Sequence, residues 1–154
     1  MVSPYGGYAT GDGHVIVLGT TNDGEWQRLA TQVMDRPDLA ANPAYATNAD
    51  RVRRRAELDA AIAAWAGERT FADASAAAEA AGIGWARYNT PAEVLHHPQL
   101  VERDRWVATA SENGGFLSLR PAADSPGWDW QVRGVPALGE HTDAVLAELG
   151  LQPG

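Results

Sequence analysis

Tyr5-Gly6-Gly7-Tyr8-Ala9, Gly11-Asp12-Gly13 and His14-Val15-Ile16-Val17-Leu18 follow one another near the start of the chain. Two β-prone runs flank an Asp-Gly step, which supplies the positive φ a tight turn requires, so the stretch predicts a β-hairpin. Next, Asn22-Asp23-Gly24-Glu25 sets a helix-capping side chain three residues before a glutamate, the capping-box pattern. Trp26, Leu29, Ala30 and Val33 then fall at i, i+3, i+4 and i+7, one apolar helix face that Pro37 brings to a stop.

Working outward, residues 37–47 read as a connection punctuated by Pro and Asn. A long helix is expected over 48–66, with Leu58, Ile62 and Trp65 as its buried stripe and Arg51, Arg53, Arg54 and Arg55 on its outer side. Thr70-Phe71-Ala72-Asp73 opens an alanine-rich helix, with Phe71, Ala74, Ala78 and Ala81 inward and Gly82 as its stop. Residues 83–88 read as a short strand. A brief helix starts at Thr90-Pro91 and closes at Pro98, and a second hairpin spans 105–119 around Asn113-Gly114-Gly115. Pro and Gly punctuate 121–136, where Trp128 and Trp130 point to a linker lying against a surface. A helix over 142–149, stopped by Gly150, ends the chain. The expected fold class is α+β: a small antiparallel sheet (two hairpins plus a short strand) packed with three to four helices, then an extended C-terminal linker and terminal helix.

Composition removes several function classes. There are 154 residues and no cysteine, so a disulfide framework, a thiolate zinc site, an iron–sulfur site and a cysteine nucleophile are all excluded. The formal net charge of -8 argues against a nucleic-acid partner. All 12 cations are Arg, which excludes Schiff-base lysine chemistry and a Walker-type lysine. No apolar run reaches membrane-span length and the N-terminus has no signal-peptide pattern, so a cytoplasmic location and no membrane partner are expected.

Local chemistry names no reaction. HExxH, GxSxG, GxGxxG and paired-carboxylate motifs are absent from the sequence, and no metal site is expected. Of the four histidines, His96 and His97 read as adjacent helical residues pointing apart, and His141 as a helix-start residue. Asp12, His14 and Glu25 are the candidates for acid or base work, with Asp12 also readable as a turn residue.

Strung together, the segments resemble the C-terminal part of the family III CoA-transferases. The resemblance is carried by Pro4-Tyr5-Gly6 with Tyr8 and Asp12-Gly13, Asn22-Asp23 with Trp26, and Arg36-Pro37-Asp38-Leu39 through Asn42-Pro43 to Tyr45-Ala46-Thr47-Asn48. It continues in Ala81-Gly82-Ile83, Asn89-Thr90, Glu93-Val94, His97-Pro98-Gln99-Leu100 and Leu138-Gly139-Glu140-His141-Thr142, then runs to Val145-Leu146 and Leu149-Gly150. It implies that residues 1–110 are the family's small domain and 111–154 the return linker and terminal helix. The resemblance also implies a Rossmann-like large domain, interlocked dimers, and an active site between one subunit's large domain and the other's small domain.

Family transferases attack acyl-CoA with a large-domain aspartate, and no residue here matches it. The glycine-rich loop over their active site would lie upstream of Met1. Tyr5 matches a substrate-proximal aromatic, and Tyr5, Gly6, Gly7, Tyr8 and Asn22 form the implied substrate-binding set. Asn22 stands where the racemase branch has a glutamate; an amide cannot exchange protons as a carboxylate does, which favours transfer over racemisation. Residues 85–89 and 135–138 look closer to members acting on branched or dicarboxylic acyl-CoAs.

The leading expectation is a split or truncated acyl-CoA:carboxylate CoA-transferase subunit with no bound cofactor. A coenzyme A thioester would be its substrate, and its partner a second copy or a separately encoded large domain. The alternatives are a stand-alone cyclase- or isomerase-type enzyme and a non-catalytic acyl-binding scaffold.

Overall fold

The computed structural model describes residues 2–123, 127 and 131–151, so Trp128 and Trp130 lie outside the described residues. The chain divides into two compact units, one running to Thr90 and the other from Pro91.

In the first unit, β1 (Tyr5–Ala9) and β2 (Val15–Gly19) form the expected hairpin, with Tyr5 opposite Gly19 and Ala9 opposite Val15. Gly13 takes φ 84 in its turn. β3 (Gly84–Arg87) adds antiparallel to β2, giving the order β1-β2-β3. Because successive side chains alternate across a strand, this register sorts the sheet into two faces. Tyr8, Ile16 and Leu18 face the core and are buried.

The helical layer begins with α1 (Asp23–Arg28), which runs on through a π turn (Leu29–Val33). α2 (Pro37–Ala41) and a 3-10 turn (Pro43–Tyr45) occupy the expected connection, each opened by a proline in its first turn. α3 (Asn48–Arg53), α4 (Arg55–Gly67) and α5 (Phe71–Ala80) complete the helical layer. Trp26, Leu29, Leu58, Ile62, Ala74 and Ala78 are all 0–1% exposed at its centre. The alanines of α5 let its backbone come close to the sheet.

Two expectations about 48–66 change. The helix is interrupted at Arg54 (φ -110, ψ 25), which ends α3 and begins α4. Arg51 is 1% exposed rather than on the outer side. Its Nε donates to the Ser3 carbonyl (2.9 Å) and its Nη1 to the Tyr45 carbonyl (3.0 Å). Nη2 donates to Asp23 Oδ1 (2.6 Å), and the guanidinium carbon sits 5.7 Å from the Trp26 ring centroid. A buried charge is tolerated here because those acceptors satisfy it.

The second unit contains α6 (Pro91–Leu95), α7 (Pro98–Glu102), the hairpin β4 (Trp106–Thr109) and β5 (Phe116–Leu119), and α8 (Thr142–Glu148). Pro98 opens a new helix as well as closing the one before it. His96 therefore lies between the two helices and His97 caps α7, so the pair is not carried on one helix. Val135 N–H donates to the Ala110 carbonyl (2.8 Å), which ties the linker's end to the turn end of the second hairpin. The fold is α+β with small antiparallel pairing, as expected, but the second hairpin forms a two-stranded sheet of its own instead of joining the first hairpin and the short strand in one sheet.

Candidate functional site

One corner of the first sheet gathers Tyr5, Gly19, Asn22 and Glu25. Tyr5 lies across Gly19: a Cβ there would stand 2.5 Å from Tyr5 Cδ2, so only glycine lets the ring lie this close. The ring is 56% exposed, while the Tyr5 carbonyl accepts from Arg55 Nη2 (2.7 Å) and fixes the strand end. At the start of α1, Asn22 Oδ1 accepts from Glu25 N–H (2.9 Å), the expected cap. Glu25 reaches back one residue further than a standard capping box: its Oε2 accepts from Thr21 N–H (2.6 Å) and Thr21 Oγ1 (3.0 Å). The Thr21 backbone bond, above all, holds the Glu25 carboxyl below the usual range. An ionised carboxylate committed to a cap is a poor proton carrier at neutral pH.

Strand alternation divides the other residues of the implied set. Tyr8 is 4% exposed and donates from its hydroxyl to Asp59 Oδ1 (2.8 Å). Burial, then that bond, pushes its phenol above the ordinary value. Gly6 makes room for it, since a Cβ there would meet Tyr8 Oη at 3.2 Å. Tyr8 and Gly6 thus belong to the core face, while Tyr5 and Gly7 lie on the outer one.

Asp12 and His14 sit at the far end of the hairpin. Five-residue strands at about 3.4 Å per residue separate them from Tyr5 and Asn22 by about 14 Å. Asp12 caps the helix across from it, with Oδ1 accepting from Thr10 Oγ1 (2.6 Å) and Oδ2 from Phe71 N–H (3.0 Å). These bonds, the Thr10 one first, hold its carboxyl low. Arg87 Nη2 donates to His14 Nδ1 (3.1 Å), since a guanidinium can only donate. Asp12 and His14 therefore cannot act in concert with Glu25.

Sequence reasoning missed what surrounds His14. His14 meets Phe71 edge-on at 6.1 Å, and Phe71 meets Trp85 edge-on at 5.9 Å. Arg87 lies 5.4 Å over Phe71, and Trp85 Nε1 donates to Glu79 Oε2 (2.8 Å). The alternation of Trp85 and Arg87 along β3 was a usable signal, but only once the strand's partner was known.

The outer sheet face was missed as well. Gly7 and Ala9 of β1, Val15 and Val17 of β2, and Ala86 of β3 lie on it, and none is charged. The open face of an antiparallel sheet is ordinarily polar, so this one is chemically unusual. With Tyr5 at its corner it can hold an apolar or planar group, and the exposed Asn22 amide beside it can hydrogen-bond a carbonyl. Among the described residues no group of three or more His, Asp or Glu side chains is placed to hold a metal ion.

Comparison with known proteins bears out the resemblance drawn from the motifs. The family model described as CoA-transferase family III matches residues 1–142. Succinyl-CoA–D-citramalate CoA-transferase of Chloroflexus aurantiacus is 32% identical over 153 residues, covering 96% of this chain and 37% of that protein. A probable CoA-transferase of Mycobacterium tuberculosis is 40% identical over 94 residues, 61% of this chain and 12% of its own length. The crystal structure of a CaiB/BaiF family protein from Brucella suis matches with TM-score 0.70 at 28% identity, covering 96% of this chain and 38% of that one. The chain thus spans well under half the length of each of these relatives. On both sequence and fold, it belongs to CoA-transferase family III.

Proposed function

We propose that this chain is the small-domain part of an acyl-CoA:carboxylate CoA-transferase. It works in the cytoplasm with an Asp-bearing large domain and forms one wall of the acyl-binding site. The observation that carries this reading is the 32% identity across nearly the whole chain to a CoA-transferase of which it spans 37%. Several relatives are named for succinyl-CoA with a dicarboxylate acceptor, which makes a dicarboxylyl-CoA thioester the favoured substrate.

The corner geometry supports a positioning role. Tyr5 on Gly19 offers an aromatic wall, the uncharged outer face accepts apolar parts of the thioester, and the Asn22 amide can donate to a carbonyl without exchanging protons. Asp12 and Glu25 are engaged as helix caps, so neither supplies the nucleophile that acyl transfer needs.

The test starts with untagged protein recovered from its own host at physiological salt. Native mass spectrometry is followed by chromatographic assay of CoA transfer from succinyl-CoA to dicarboxylic acids. The expected result is an assembly containing the Asp-bearing domain, active in transfer, whose Tyr5→Ala variant loses kcat/KM at least about tenfold while staying folded. Recovery as one or two copies of this chain alone, with or without an activity of its own, overturns the reading.

A further inference from the structure

The second hairpin leaves one edge open. It forms a two-stranded sheet of its own, and two strands are marginal without further pairing or packing. Arg120 N–H donates to the Arg105 carbonyl (2.9 Å), and Ser111 and Gly114 exchange both backbone bonds across the turn (3.1 Å each). Bonded pairs alternate along an antiparallel ladder, so Phe116 and Ser118 turn their backbone groups to β4 while Leu117 and Leu119 turn theirs outward. Among the described residues nothing takes those outward N–H and C=O groups, and Leu117 and Leu119 are 54% and 50% exposed. The outer edge of β4, by contrast, is met at Ala110 by Val135.

Edge strands that stay unpaired are ordinarily protected by a charge, a proline or a bulge. Phe116-Leu117-Ser118-Leu119 has no charge and no proline, and its register with β4 is unbroken. The strand presents Phe116 on one face and Leu117 with Leu119 on the other, so neither face is polar enough to discourage a neighbour.

We propose that this edge is a self-association surface: β5 pairs antiparallel with β5 of a second copy about a two-fold axis at Ser118, joining two two-stranded sheets into one. Leu117 stands opposite Leu119 of the second copy, and these outward residues exchange both backbone bonds. The two Ser118 residues between them form the non-bonded pair on the axis. All the leucines of the contact lie on one face. Arg120 stands opposite Phe116 of the second copy, and the two arginines occupy opposite ends of the ladder, so like charges do not meet as they would in a parallel pair. A self-complementary edge of this kind closes as a two-fold dimer. The contact is small, which sets the association in the micromolar range or weaker. It lies wholly within the second unit and does not depend on the transferase reading.

The test is sedimentation velocity of the full chain over about 5–500 µM, combined with disulfide trapping. Leu117→Lys puts a charge on the edge, and Val101→Lys puts one on an exposed apolar residue of α7 as a control; circular dichroism checks both folds. The chain has no cysteine, so Ser118→Cys and Val101→Cys each carry a single thiol, oxidised with diamide. A reversible dimer is expected, with its Kd raised at least about tenfold in L117K and unchanged in V101K. Trapping should be at least about tenfold faster in S118C than in V101C, because a non-bonded pair sets its Cα atoms about 4.5 Å apart, within disulfide reach. If L117K fails to fold, the trapping ratio decides alone. A monomer throughout would overturn the proposal and leave the edge to a strand of a different protein. A dimer that L117K leaves intact, or trapping no faster in S118C than in V101C, would overturn it too.

Discussion

Replacing Arg51 with methionine removes a fully buried guanidinium that joins the N-terminal segment, the start of α1 and the 3-10 turn. The Ser3 and Tyr45 carbonyls would each lose a partner in a place water does not reach. An orphaned buried acceptor costs about 1–3 kcal/mol, so these two set a loss of about 2–6 kcal/mol. The Asp23 contribution is small, because its side chain is 61% exposed and its carboxylate returns to water. Methionine keeps most of the apolar contact with Trp26 and limits the loss to these polar terms. Domain stabilities run to about 5–15 kcal/mol, so R51M should move the urea midpoint by a large part of its range. The assay is equilibrium unfolding in urea, followed by tryptophan fluorescence and circular dichroism together. Arg51→Lys should recover less than half of the loss, since one ammonium cannot reach three segments. Asp23→Asn should cost under about 1 kcal/mol. The reasoning fails if R51M unfolds within about 1 kcal/mol of the parent, or if D23N costs as much as R51M.

Other outcomes follow from single contacts. Tyr8→Phe removes the bond to Asp59 and should cost about 1 kcal/mol in the same urea assay. The raised phenol of Tyr8 also makes a signed prediction: its stabilisation is complete below the unfolded phenol value and is lost as pH rises through the folded one. Melting curves of Y8F should therefore show a shallower alkaline decline than those of the parent. Asp12 has the opposite sign, because its depressed carboxyl stabilises above the ordinary carboxylate value and that effect disappears as pH falls through the folded one. Asp12→Ala should lower the melting temperature at neutral pH and flatten its acid limb; an unchanged limb would count against the Phe71 cap. Gly11→Ala brings a Cβ to 2.7 Å from the Gly67 carbonyl, and the clash should cost about 1–3 kcal/mol, read as a lower melting temperature.

The candidate site was only partly legible in the sequence. Asn22 was readable as a cap because its partner lies three residues away, and Tyr5 as a substrate-side aromatic through the family resemblance. Tyr8, three residues from Tyr5, gave no sign that it would enter the core and bond to Asp59, 51 residues away. Asp12 and Glu25 were legible as carboxylates but not as carboxylates already engaged, since Asp12 meets the Phe71 N–H 59 residues further on. Pairing Arg105 with Arg120 required the register of the second hairpin.

Local interactions follow the order of the residues, and whatever depends on them alone can be read along the chain. The hairpin at Asp12-Gly13, the cap at Asn22, the Leu58, Ile62 and Trp65 stripe and the stop at Gly82 each rest on neighbours within one or two turns. Family membership was legible for a similar reason, because the motifs keep their order and spacing along the chain. Tertiary structure alone decided which face of β1 looks inward, why Arg51 is buried, and that Asp12 and Glu25 lie at opposite ends of the hairpin. Those outcomes depend on hydrogen-bond acceptors and packing surfaces that sequence separation hides, and a charged or aromatic side chain takes whichever side satisfies it.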